Sequence, residues 1–290
     1  SNTSELTKDE DGTVINKTAS YAGDGGLQQV FAGVGFKVLD NLSIGANISY
    51  IYGDITHSVT TAFSNSSSFS SVRLDKISIN DYKLDFGLQY SYKFNKKHVL
   101  NFGAVYSLGH SVNGKGYKYN QKWLNGADYP STQTGDTITN AFSLPHTFGA
   151  GLTYVYDNRL TIGADFTYQQ WEDAKFYNEK SYFSNRTKIA AGAEFVPNPY
   201  SRNYLKRVRY RVGGYYSDPY TKVDGQDGTR EYGVSAGFGF PLFQSKSILN
   251  ISGQYVRVSP KVKGMLEENY LKINIGLTFN ERWFMKWKVD

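Results

Sequence analysis

The segment Leu160-Thr161-Ile162-Gly163-Ala164-Asp165-Phe166-Thr167-Tyr168-Gln169 decides the fold class. Leu160, Ile162, Ala164, Phe166 and Tyr168 alternate with Thr161, Gly163, Asp165, Thr167 and Gln169. Successive side chains of a strand point to opposite faces. The segment therefore has one apolar face ending in a tyrosine and one small or polar face. Working outward, the same split recurs at Tyr82, Leu84, Phe86, Leu88, Tyr90 and Tyr92 against Lys83, Asp85, Gly87, Gln89 and Ser91. Near the end of the chain, Leu271, Ile273, Ile275, Leu277 and Phe279 alternate with Lys272, Asn274, Gly276 and Thr278.

About eleven such strands can be read. They centre on 28–39, 42–58, 72–94, 98–112, 144–156, 159–171, 183–197, 207–217, 230–241, 247–259 and 269–280. They are near the ~9–11 residues that a tilted strand needs to cross a bilayer. Their connections alternate in length. Short ones sit at Asp40-Asn41, Asn95-Lys97, Asp157-Asn158, Pro197–Lys206 and Phe243–Lys246, and long ones at 59–71, 113–143, 172–182, 218–229 and 260–268. Short turns at one rim and long loops at the other are the pattern of an outer-membrane barrel. The expected fold is thus all-β, a single antiparallel transmembrane β-barrel domain over 1–290. Single-chain bacterial barrels have an even strand number and both ends in the periplasm. The parity then places 1–27 outside the cell and leaves an odd number of strands to precede Ser1. The segment 281–290 becomes a periplasmic tail.

Composition agrees with a membrane wall. Tyrosine is abundant, 24 residues on a chain of mean hydropathy −0.48. Tyrosine favours sites where one end is wet and the other apolar. The net charge of +6 is spread along the chain, which argues against a nucleic-acid surface. With no cysteine, neither disulfides nor thiolate metal sites can form.

Signals for catalysis or metal binding are weak. His57, His98, His110 and His146 have no metal-site spacing. Ser143-Leu144-Pro145-His146 puts a serine near a histidine but lacks a nucleophile elbow. Asp9-Glu10-Asp11-Gly12 and Asp224-Gly225-Gln226-Asp227-Gly228 allow a calcium turn or, more simply, a solvated hairpin tip. Neither a catalytic residue, a metal nor a cofactor is expected. The polar face carries Lys83, Asp85, Asp165, Lys188, Glu194, Arg209, Arg211 and Lys272. These either cross-link a hydrated lumen or form a path for an amphiphile with an anionic head. Arg209 and Arg211, two apart, would both face inward.

Leu144-Pro145-His146-Thr147-Phe148-Gly149-Ala150-Gly151, followed by Tyr154 and Trp171, resembles the Leu-Pro…Gly…Tyr…Trp run of the FadL/TodX-type transporters. Tyr210-Arg211-Val212-Gly213-Gly214-Tyr215-Tyr216-Ser217-Asp218-Pro219 is similar to that family's strand ending in an aromatic and a proline at the outer rim. Gly233 to Pro241 fits its closing hairpins. The resemblance spans 140–280, and more loosely the whole chain. It implies a fourteen-strand barrel with a plug and a lateral exit, of which about eleven strands lie in this chain. It implies passive uptake of hydrophobic or amphipathic small molecules such as fatty acids, in contact with outer-membrane lipid. Barrels of this type also serve as adaptor or scaffold subunits of secretion and assembly machines. In that case Tyr117, Tyr119, Trp123 and Tyr129 of the 113–143 segment would meet a protein partner. An open diffusion pore fits less well, because the family lumen is plugged. One departure is the tail after Phe279, with Trp283, Phe284, Trp287, Lys286 and Lys288, where a terminal aromatic strand residue is usual.

Overall fold

A computed structural model describes residues 2–8, 12–65, 69–124, 132–139, 142–176, 180, 182–223, 225–242, 247–260 and 267–278. The chain starts with β1 (Asn2–Lys8), β2 (Val14–Leu39), β3 (Leu42–Phe63), β4 (Phe69–Lys93) and β5 (His98–Ser107). Next come β6 (His110–Ser111), β7 (Gly114–Leu124), β8 (Thr132–Thr139), β9 (Ser143–Leu144), β10 (Thr147–Tyr156), β11 (Leu160–Gln169) and β12 (Arg186–Phe195). The last are β13 (Arg209–Ser217), β14 (Lys222–Val223), β15 (Gln226–Asp227), β16 (Thr229–Pro241), β17 (Ile248–Pro260) and β18 (Glu268–Thr278). Among the described residues, helix is confined to two single turns of 3-10 type, η1 (Trp171–Asp173) and η2 (Tyr204–Lys206).

One 14-stranded antiparallel sheet dominates, in the order β1-β2-β3-β4-β5-β10-β11-β12-β13-β16-β17-β18, with β7 added beside β4 and β8 beside β7. The wall expected from the sequence is the run from β2 to β18 along this path. Among the described residues, β18 pairs only with β17, and the Tyr21–Leu39 part of β2 only with β3.

Register fixes the two faces, because residues directly opposite in an antiparallel pair share a face. Phe86 lies opposite Tyr106, Tyr106 opposite Phe148, and Phe148 opposite Tyr168. Leu160 lies opposite Phe195, Phe195 opposite Tyr210, and Tyr210 opposite Phe238. Phe238 then meets Ile251, and Ile251 meets Ile275. This face leaves large apolar side chains exposed, Val34, Phe86, Phe166, Val212 and Ile273 among them. In water that much exposed apolar area would be a liability; against lipid it is the solvent-matched surface. Aromatic contacts gather at its two rims. Tyr92 meets Phe94 and His98 meets Tyr154 and Tyr156 at the short-turn rim. Tyr50 stacks on Tyr52, Tyr82 on His110 and Tyr106 on His146 at the long-loop rim. From Tyr82 to Tyr92, at ~3.4 Å per residue and a tilt of ~40°, the band is roughly 26 Å tall. That is the height of an outer-membrane apolar girdle.

Two turns show why the strands reverse where they do. Asp157 and Asn158 have φ of 50° and 53°, the left-handed pair of a type I′ hairpin. Asn and Asp tolerate that region better than most side chains. The Arg159 amide donates to Tyr156 at 2.9 Å and closes the turn.

Three expectations are corrected. The segments 1–27, 59–71 and 113–143, expected to be outer loops or non-strand, contain strands. In the structure β1 and the first half of β2 occupy the first, and β3 and β4 extend into the second as far as Phe63 and from Phe69. The third contains β7 and β8. For the second, the physical reason is that the stretch has no apolar face. Ser58, Thr60, Thr61, Ser70 and Ser71 occupy both sides, so period-two contrast vanishes although Thr still suits a strand. The strands β2, β3 and β4 run 26, 22 and 25 residues, well beyond the membrane band. Their excess, with β1, β7 and β8, makes a six-stranded blade at the long-loop end. Asp54 and Lys76 bridge two of its strands at 2.9 Å. That bond to Lys76, and a second to Ser78, hold the Asp54 carboxyl below its ordinary value.

The blade leaves the wall at a paired-glycine bend. Gly25 and Gly53 have φ of +101° and +142°. A Cβ on Gly25 would lie 2.1 Å from the Asp54 carbonyl oxygen, and one on Gly53 would lie 2.3 Å from that of Gly26. Each glycine thus admits the backbone of the other strand. Above this bend, on the side that continues upward from the polar face, Ile51, Ile77, Ile79 and Val112 are buried. Ile138, Phe142, Leu144 and Phe176 pack on them. The chain segments between wall strands therefore fold over that face as an apolar roof.

Candidate functional site

The face opposite the lipid-facing one carries glycines and polar groups, with Phe31 and Val105 among its apolar exceptions. Gly35, Gly45, Gly87, Val105 and Gly149 form one row across five strands. All eight charged residues expected to face inward lie on this side. The structure brings together two groups of them.

Glu194 on β12 faces Arg211 on β13 in register. Its two carboxylate oxygens accept from Arg209 at 2.8 Å and from the Arg211 Nε at 2.6 Å. Arg211 also donates to Asn250 at 2.7 Å, and Asn250 donates to Thr278 at 3.2 Å. This chain of bonds ties β12, β13, β17 and β18. Lys83 pairs with Asp85, and the Ser107 hydroxyl donates to the same carboxylate at 2.5 Å. Charge-assisted bonds of this kind are shorter and stronger than neutral ones.

Asp165, Lys188 and Lys272 are arranged differently. Gly151 makes room for Asp165, since a Cβ there would meet its Oδ1 at 2.4 Å. The Lys188 ammonium sits 5.1 Å from the Tyr215 ring centroid, and Lys272 sits 4.9 Å from that of Tyr270. Tyr215 donates its hydroxyl to Glu231. Lys188, Tyr215, Glu231, Ser235 and Gln254 line a shallow polar recess of about 390 Å³. Sequence reasoning missed Tyr215 and Glu231. The available signal was parity: Tyr215 lies four residues beyond Arg211 on β13 and so shares its face.

Two recesses lie back to back in the wall. On the lipid side, Val34, Phe36, Phe86, Tyr106 and Phe148 border an apolar one of about 610 Å³. On the other side, Ser43, Gln89, Asn101 and Asp165, together with Ile44, Leu88 and Phe102, border one of mixed lining, of about 500 Å³. Both touch Gly45, Gly87 and Ala104.

The other candidates resolve as follows. Tyr117, Tyr119 and Trp123 alternate along β7 and share one face of the blade, while Tyr129 lies outside the described residues. His146 accepts from the Gly109 amide at 3.2 Å and contacts the Tyr106 hydroxyl at 2.8 Å. Ser143 instead contacts Ser111 at 3.4 Å, so serine and histidine are not joined as a nucleophile and base. His110 stands 3.4 Å from Asp81 and stacks on Tyr82. Asp9, Glu10, Asp11 and Asp224 of the acidic turns lie outside the described residues, as do Phe279 and the 281–290 tail. Asp227 accepts from Ser184 at 2.6 Å. No cluster of metal-ligating residues occurs among the described residues.

The family model described as BamG matches residues 2–290. The chain belongs to the BamG family. Solved structures show which architecture this BamG-family chain shares. A Pseudomonas aeruginosa FadL homologue aligns with a TM-score of 0.53 at 15% identity, covering 88% of this chain and 69% of that one. The Ralstonia pickettii toluene transporter TbuX aligns at 0.51 and 12%, covering 89% and 78%. The Pseudomonas putida toluene transporter TodX aligns at 0.51 and 13%, covering 95% and 80%. No curated protein matches the sequence. At these identities the likeness establishes the fold. The BamG-family chain has the outer-membrane β-barrel fold expected from its alternating strands, and it is of the FadL type that the motif resemblance implied.

Proposed function

We propose that this barrel is a partner-binding subunit of an outer-membrane assembly complex. The observation that carries this reading is the blade. A wall strand needs only ~9–11 residues to cross the bilayer. β2, β3 and β4 each run at least twice that and build a sheet standing clear of the membrane. Tyr117, Tyr119 and Trp123 line one face of it, beside Leu74 and Val72. Tyr and Trp are favoured anchors of protein interfaces. The lumen-facing arginines are engaged by Glu194, which leaves less cationic surface for a solute. Membership of the BamG family hints at the same role. In this reading the long-loop end faces outside the cell.

The test uses gently solubilised membranes carrying full-length protein. The wild type is expected in a complex of several chains, and Tyr119→Ser with Trp123→Ser to dissociate from it at unchanged melting temperature. Wild-type protein migrating alone, with normal amounts of other barrels in cells that lack it, would contradict the reading.

A second reading is passive passage of a hydrophobic small molecule. The back-to-back recesses favour it, because both reach Gly45, Gly87 and Ala104, where the wall carries little or no side chain. Uptake of a fatty acid or an aromatic hydrocarbon that depends on the protein, with no partner chain present, would support this reading over the first.

A further inference from the structure

The connection from β12 to β13 differs from the two-residue Asp40-Asn41 and Asp157-Asn158 turns at the same rim. It is an ordered projection. Asn203 caps η2 by accepting from the Leu205 amide at 3.0 Å. The Asn198 amide donates to the Lys206 carbonyl at 2.8 Å, and the Arg159 guanidinium holds the Pro197 carbonyl. These bonds fix the backbone and leave side chains able to point outward. Here Tyr200 is 92% exposed and Leu205 64%.

Position explains the exposure. Tyr210 belongs to the lipid-facing side of β13, opposite Phe195 and Phe238. Its hydroxyl donates to the Leu205 carbonyl at 3.1 Å. That bond sets η2 against the lipid side of the rim, not over the lumen. The charge of the segment is one-sided. No Asp or Glu occurs between Phe195 and Asp218, while Arg202, Lys206 and Arg207 fall in the projection. Arg202 and Lys206 are exposed. The adjacent turn carries Asp157 and Arg159, and the next turn beyond it, between β4 and β5, brings Lys93, Lys96 and Lys97, with Asp40 farther along the rim. Asp40 is already paired with Lys37 at 3.2 Å.

We propose that this projection is a membrane-surface foot that binds anionic phospholipid of the adjacent leaflet. Tyr200 and Leu205 enter the interfacial layer, and Arg202 and Lys206 meet headgroup phosphates. Aromatic and aliphatic side chains beside arginine and lysine are the composition of an interfacial anchor. Cations near a membrane surface attract anionic lipid within a Debye length. The inference rests on the lipid-facing reading of the apolar side, but not on which leaflet lies at this rim.

The test is native mass spectrometry of full-length protein in detergent with equal phosphatidylglycerol and phosphatidylcholine. Phosphatidylglycerol is expected to be retained several-fold over phosphatidylcholine. Arg202→Gln with Lys206→Gln should cut that preference by roughly fivefold per cation removed. Raising salt on the wild type should erode it without any substitution. Equal retention of the two lipids by the wild type would overturn the proposal. So would a double variant that keeps the preference, even if it loses an acidic protein partner instead. Retention of neither lipid would overturn the lipid-facing reading beneath it.

Discussion

Gly53→Ala is expected to lower stability by roughly 2–4 kcal/mol, the range for a strained backbone combined with a steric clash. The residue has φ of +142°, and a Cβ would press on the Gly26 carbonyl at 2.3 Å. Relief requires β2 and β3 to separate where the blade leaves the wall. The neighbouring Gly26→Ala is the control. Its Cβ would meet nothing within 4 Å, so it should change stability by less than about 1 kcal/mol. Thermal unfolding of full-length protein in detergent compares the two, and limited proteolysis of Gly53→Ala should cut first within the blade. Equal melting temperatures for the two variants would show that the bend carries no constraint.

Glu194→Ala should destabilise the barrel by roughly 1–2 kcal/mol, a figure discounted for partial solvent access. The substitution leaves Arg209 and Arg211 adjacent on one strand with no anion between them. Glu194→Gln keeps an acceptor and should cost about half as much. Adding Arg211→Met to Glu194→Ala should restore part of the loss, because one uncompensated cation is removed. The melting temperatures of the three variants measure this. If Glu194→Ala were neutral, the arginines would not depend on it and would be available to a ligand.

The fold was legible wherever lipid faces one side and polar groups the other. β11 is the clearest case: the alternation from Leu160 to Gln169 gave its two faces and nearly its ends. The Asp157-Asn158 turn was readable because its residues suit the left-handed conformation it adopts. The blade was not legible. Both of its faces meet water or other protein, so Ser and Thr serve on either side and the period-two contrast disappears. The pairing of charges was only half legible. Parity put Glu194, Arg209 and Arg211 on one face, but their meeting depends on the register between β12 and β13. Parity also puts Tyr215 on that face, but its bond to Glu231 and its closeness to Lys188 depend on the pairing of β12, β13 and β16, which the sequence alone does not reveal.

The central claim is that one face of the wall contacts lipid and the other a polar interior. The chain has no cysteine, so single cysteines can be placed without background. A spin label carried in turn from Leu160 to Gln169 in the reconstituted full-length protein tests the claim most directly. Positions 160, 162, 164 and 166 should be relaxed by oxygen dissolved in the bilayer. Positions 161, 163, 165 and 167 should respond to a water-soluble nickel reagent or be shielded from both. A profile that is uniform along the strand, or that has the opposite phase, would contradict the account.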